Sequence, residues 1–190
     1  TRSGRPFTGM TVDQAGECFE VYAPAEFATS LQPGQLINVE GPMRQARRRI
    51  EMTAHELKLL DADSIKSSAV AMLPKSACPV DALSALQALE ALEFRLPIHL
   101  RGFLIRVLLD SRISRPLLQC KASVRHHHAS HGGLLVHSTQ LLPVIPALCD
   151  SLLPGDSEAW ALASLGYLFH DIGKVVTIGS AAHPAMLRNL

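Results

Sequence analysis

The hydrophobic pattern of this chain changes period once, and that change limits the folds open to it. Before residue 62, apolar and polar residues alternate in short runs; after residue 80, apolar residues recur every three or four positions. A period of two sends successive side chains to opposite faces of a strand, whereas a period near 3.6 draws one stripe along a helix. The pattern predicts an α+β chain of two domains. A small β domain spans 1–62, a connector with a short helix spans 63–97, and an all-helical domain spans 98–190.

Three strands are expected in the first part. Gly16 to Ala23 alternates and meets Pro24, and Gln35 to Gly41 follows the Pro33-Gly34 turn. Arg49 to Ala54 alternates with Ile50, Met52 and Ala54 inward. Short strands with Pro/Gly turns suit a small barrel or sandwich. Net charge is only +1, so any attraction for nucleic acid has to come from a local patch. Arg44, Arg47, Arg48 and Arg49 form one candidate, on a hairpin where they can track phosphates, with Phe19 and Tyr22 as stacking faces. The alternative is a solvated hairpin tip with Phe19 in the core.

In the connector, Leu83, Leu86, Leu89 and Leu92 predict an amphipathic helix over Val80 to Phe94, stopped by Pro97. Beyond it, Leu100, Phe103, Leu104, Val107 and Leu108 give a buried helical face. A helix from Leu134 meets Pro143 and Pro146, so it ends near Leu142 or kinks there. After Pro154-Gly155, Asp156 to Phe169 reads as a helix with Leu162, Leu165 and Phe169 inward and Gly173 at its end. Four scattered cysteines predict reduced thiols in a cytoplasmic protein. No apolar run has the length of a membrane span, and no signal peptide opens the chain. A first residue of Thr suggests a trimmed chain.

Histidine carries the chemistry. His170-Asp171 closes the last apolar helix, and five of the nine histidines (His126, His127, His128, His131 and His137) crowd into twelve residues. Imidazole with carboxylate suits a divalent ion such as Mn, Mg, Fe, Ni or Zn. A histidine on one helix and a His-Asp pair ending another is how a helical domain builds a metal site. The competing readings are a core histidine at His137 and a simple capping pair at His170-Asp171. Lys174, one turn beyond Asp171, either holds a substrate phosphate or answers a helix dipole. His183 is a weaker candidate.

The phrase His127-His128-Ala129-Ser130-His131-Gly132-Gly133-Leu134-Leu135-Val136-His137-Ser138, followed by His170-Asp171-Ile172-Gly173-Lys174, resembles the HD superfamily of metal-dependent phosphohydrolases. Two branches are similar: bacterial 3′→5′ exoribonucleases with an OB-fold ahead of the HD domain, and HD-type (TraI-like) conjugative relaxases. The resemblance covers about Leu100 to the C-terminus. It implies that His137, His170 and Asp171 hold the metal. It also implies that His127 and His128 bind a second metal or phosphate, or act as acid and base, and that Lys174 offsets phosphate charge. Leu31 to Val39 resembles the middle of an OB-fold, so the β domain is expected to be partly OB-like, with its first strand before Thr1. The expected activity is hydrolysis of a phosphoester in single-stranded RNA or DNA, with no membrane partner. The rivals are a nucleotide phosphohydrolase and a non-catalytic nucleic-acid-binding or relaxase-like module of a conjugative element. No Asp follows Asp171, so the family's last ligand is not present in the chain.

Overall fold

The computed structural model describes residues 6–14, 17–28, 30–32, 35–46, 49–60 and 67–179. Within them the chain is mixed α+β: an N-terminal β region is followed by a helical one.

The β region holds six strands among the described residues: β1 (Phe7–Gln14), β2 (Glu17–Pro24), β3 (Ile37–Glu40), β4 (Met43–Ala46), β5 (Arg49–Thr53) and β6 (Glu56–Leu59). A single turn of helix, α1 (Ala25–Ala28), follows β2. The main sheet runs β1-β2-β5-β4, and β3 pairs with β6 in a separate two-stranded sheet. β1 and β2 are antiparallel, with Phe7 opposite Pro24 and Gln14 opposite Glu17. β2 and β5 run parallel, with Glu20 opposite Glu51. β1, β4 and β6 lie beyond the three strands expected. β1, β4 and β6 escaped the alternation test because each presents mostly exposed or half-exposed residues. Ile50, expected inward, is exposed, while Met52 and Ala54 pack with Val21 and Ala23 in a small core.

Ala69, Val70, Leu73, Ala82, Leu86, Leu89, Leu92 and Leu96 share one continuous core with Leu104, Leu108, Leu134, Leu135 and Leu168. The stretch expected to connect thus supplies part of the helical core. It contains α2 (Ala69–Met72) and α3 (Leu83–Arg95), with short 3-10 turns at Lys75–Ala77 and Val80–Ala82 between them. What fixes α2 is Glu93 on α3, whose side chain is 0% exposed. It accepts bonds from the Ser68 hydroxyl (2.9 Å) and from the backbone N–H groups of Ala69 (2.9 Å) and Val70 (3.2 Å). Arg101 reaches the same carboxyl at 3.4 Å. The first N–H groups of a helix have no partner within it, and here a buried side chain from the next helix supplies one.

Five longer helical segments follow: α4 (Ile98–Leu108), α5 (Ser111–Gln119), α6 (Gly133–Thr139), α7 (Ile145–Leu152) and α8 (Ala159–Phe169). A final turn, α9 (Lys174–Thr177), comes after them. The proline question resolves as an ending: α6 stops at Thr139, and Pro146 opens α7, where its missing N–H costs nothing. Asp156 lies ahead of α8 and accepts bonds from the N–H groups of Glu158 and Ala159 at 3.0 Å each. The buried face of α8 is Ala161, Ser164, Leu165 and Leu168, so Leu162 points outward instead of inward. Gly173, expected at the end of this helix, lies four residues past it, right-handed with φ −58°, and begins α9. No described helix is long and apolar enough to cross a membrane. All four cysteines are free.

Candidate metal centre

Two helices and one turn build the site. His137 projects from the last turn of α6, and His170 and Asp171 lie where α8 gives way to the turn before α9. α6 packs on α8 and also touches α3 and α5. Between them lie α7 and the Pro154-Gly155 turn, where Gly155 has φ +95°. This path brings α8 back to the level of His137.

Three donor atoms converge. His137 Nε2 is 3.2 Å from His170 Nε2 and 3.2 Å from Asp171 Oδ2, and His170 Nε2 is 3.3 Å from the same Oδ2. Nearly equal edges of this length are what three donors take about 2.1 Å from one ion, subtending about 100° at it. Each donor also has the right form. His170 donates Nδ1–H to the Tyr167 carbonyl at 2.5 Å, which leaves its Nε2 lone pair facing the centre. Burial lowers the His137 pKa, and His170, Lys174 and His128 add to this against the pull of Asp171, so His137 stays neutral at neutral pH. Burial pushes the Asp171 carboxyl up. The hydrogen bond from Lys174 and the charges of His170, Lys174 and His137 outweigh that and hold it below the usual carboxylate range. The donor set could hold a divalent ion.

Lys174 lies closer than the sequence implied. Its Nζ is 2.5 Å from Asp171 Oδ2, the oxygen that both imidazoles approach. It stands at the first position of α9 and meets Asp171, three residues earlier.

The histidine-rich loop divides. His128 joins the centre: its ring lies 5.5 Å from that of His137, and its Nε2 meets Gln140 Oε1 at 3.1 Å. His126 and His127 are exposed, and His131 turns aside to the Gln119 carbonyl at 3.3 Å. The two glycines make this sorting possible. Gly132 has φ +76°, a left-handed conformation that side chains rarely take, and a Cβ there would press on Ala82 and Pro79. A Cβ on Gly133 would overlap the backbone carbonyl of His128, so only glycine lets the loop lie against the start of α6. His128 itself has φ +57°, the left-handed region again.

Two arginines of the patch, Arg44 and Arg49, lie among the described residues, and each meets a carboxylate. Arg44 on β4 bonds Glu51 on β5 through Nη2 (2.6 Å) and Nε (2.9 Å), and Arg49 Nη1 lies 3.8 Å from Glu20 on β2. Among the described pairs, two arginines face two carboxylates across adjacent strands. Arg47 and Arg48 lie outside the described residues, as does His183. Phe19 packs on the small core, and the Tyr22 ring lies over Gly9. Sequence reasoning missed Tyr167 and Gln140. A tyrosine three positions before His170 on one helix was the available signal for the first.

Comparison with known proteins decides nothing further. No protein-family model, curated protein or solved structure matches this chain.

Proposed function

We propose that this chain binds a divalent metal ion through His137, His170 and Asp171 and hydrolyses a phosphoester, as its resemblance to the HD superfamily implies. Single-stranded nucleic acid is the substrate class proposed, and the β region is read as an OB-like partner to the helical part. The observation that carries the reading is the triangle of two imidazole nitrogens and one carboxylate oxygen with edges of 3.2–3.3 Å. Three protein donors are what a catalytic site keeps when other positions must admit water and substrate.

When bound, the ion supplies Lewis-acid polarisation of a phosphoryl oxygen and an acidified water. The chain's own residues do the rest. His137 and His170 present ring nitrogens, and Asp171 supplies the negative charge. His128, held by Gln140 beside His137, is placed to exchange a proton with the attacking water or the leaving oxygen. Lys174 offsets charge on the phosphate once its ammonium leaves Asp171. The test is hydrolysis of end-labelled single-stranded RNA and DNA with each of Mn, Mg, Fe, Ni and Zn. Cleavage that chelator abolishes and metal restores is the expected result. No cleavage of either strand, or of bis(p-nitrophenyl) phosphate, with any of the five metals sinks the reading.

One observation favours a second reading. The Lys174 ammonium already neutralises the oxygen a metal would need, so the cluster can serve as a structural knot in a non-catalytic nucleic-acid-binding module. Lys174→Met separates the two. If the centre is a metal site, removing the competing cation raises divalent-ion affinity on the order of tenfold, about 1.4 kcal/mol, while turnover falls. A calorimetric titration with Mn in which neither parent nor variant binds the ion supports the structural knot.

A further inference from the structure

Tyr167 supplies no donor to the triangle, yet it touches both of its imidazole-bearing residues. Its hydroxyl donates to the backbone carbonyl of His137 at 2.6 Å, a bond from α8 across to α6. Its ring lies against the His170 ring, with centroids 5.3 Å apart and planes 19° from parallel. Its own carbonyl accepts the Nδ1–H of His170 at 2.5 Å. The carbonyl fixes which nitrogen of His170 is bare, and the ring fixes the plane in which that nitrogen points. The hydroxyl ties the residue bearing the other nitrogen to the same helix.

Each contact limits a freedom that would blur the triangle. An imidazole's χ2 is soft, so the direction of its Nε2 depends on what packs against the ring. The separation of His137 from His170 depends on how α6 sits along α8. α6 has only seven residues, and little within so short a helix resists a shift. The geometry points to Tyr167 as a positioning residue that sets the 3.2 Å separation of the two nitrogens and thereby the affinity of the centre for metal. The inference rests on the metal reading given above.

The test uses Co2+ with the full chain, followed by its visible absorption and by competition with a chelator. Outer-shell partners of metal ligands are worth about 10- to 100-fold in affinity. Tyr167→Phe keeps the ring and loses the bond to His137, and should weaken Co2+ binding about 10-fold. Tyr167→Leu loses the stack as well; it should weaken binding about 100-fold and alter the absorption band. Leu165→Ala on the same helix removes buried packing without removing a donor or a bond to one, and should lower Tm without changing either readout. Parent affinity and spectrum in both Tyr167 variants overturn the inference. So does a Leu165→Ala variant that weakens binding as much as Tyr167→Leu for the same loss of Tm. If the parent shows no Co2+ band, the metal reading falls, and the inference falls with it. Should Tyr167→Leu fail to fold, Tyr167→Phe, with the ring volume kept, carries the test.

Discussion

Asp171→Ala should abolish divalent-ion binding and lower phosphodiester hydrolysis on the order of 10³-fold while leaving the chain folded. Asp171 is the single charged donor of the triangle, and its Oδ2 closes two of the three edges. Without it, two imidazoles face the Lys174 ammonium with no negative charge among them, an arrangement that repels a second cation. Lewis-acid stabilisation is worth several kcal/mol of transition-state energy. About 4 kcal/mol, at 1.4 kcal/mol per tenfold, gives the factor expected. Asp171 side-chain exposure is 22%, so truncation opens no deep cavity, and the far-UV spectrum should match the parent's. Asp171→Asn, which keeps the shape and removes the charge, should lose nearly as much. Hydrolysis by the alanine variant at the parent's rate, with Mn in excess, rules out the proposed centre.

The largest effect on stability should come from Glu93→Ala. The Glu93 carboxyl joins α3 to the start of α2 through three bonds and reaches Arg101 on α4. Truncation leaves the N–H groups of Ala69 and Val70 and the hydroxyl of Ser68 buried without this partner, and leaves Arg101 without its carboxylate. Breaking a buried charged pair by removing one partner costs about 3–5 kcal/mol. For a chain of this size that corresponds to a fall in Tm of roughly 6–20 °C. Glu93→Gln, which can still accept from the backbone, should lose less. A thermal melt in which Glu93→Ala stays within about 2 °C of the parent shows that α2 is held by its apolar contacts alone.

Local chemistry was legible in the sequence wherever neighbours in sequence are neighbours in space. His170 and Asp171 adjoin and Lys174 lies one turn on, so spacing alone groups them around the end of α8. The period of the apolar residues likewise separated the β region from the helical one. Three strands stayed hidden because alternation is visible only where one face is buried, and β1, β4 and β6 bury little. That Arg44 pairs with Glu51 was not legible, because nothing local reveals that register sets the two opposite each other.

The rest was decided by packing. Glu93 sits among leucines on α3 with nothing in its spacing to mark it; it is buried because α2 lies across it with N–H groups in need of an acceptor. His127 and His128 are adjacent and chemically identical, yet one faces solvent and the other meets His137, because the loop backbone packs against Gly133. His137 itself reaches His170 from thirty-three residues away only because α7 and a turn reverse the chain between them. The sequence by itself determined which groups bond within one helical turn and which period each region follows. Which distant side chains meet, and which polar groups are buried, was set by the tertiary structure, since burial depends on both surfaces that close over a residue.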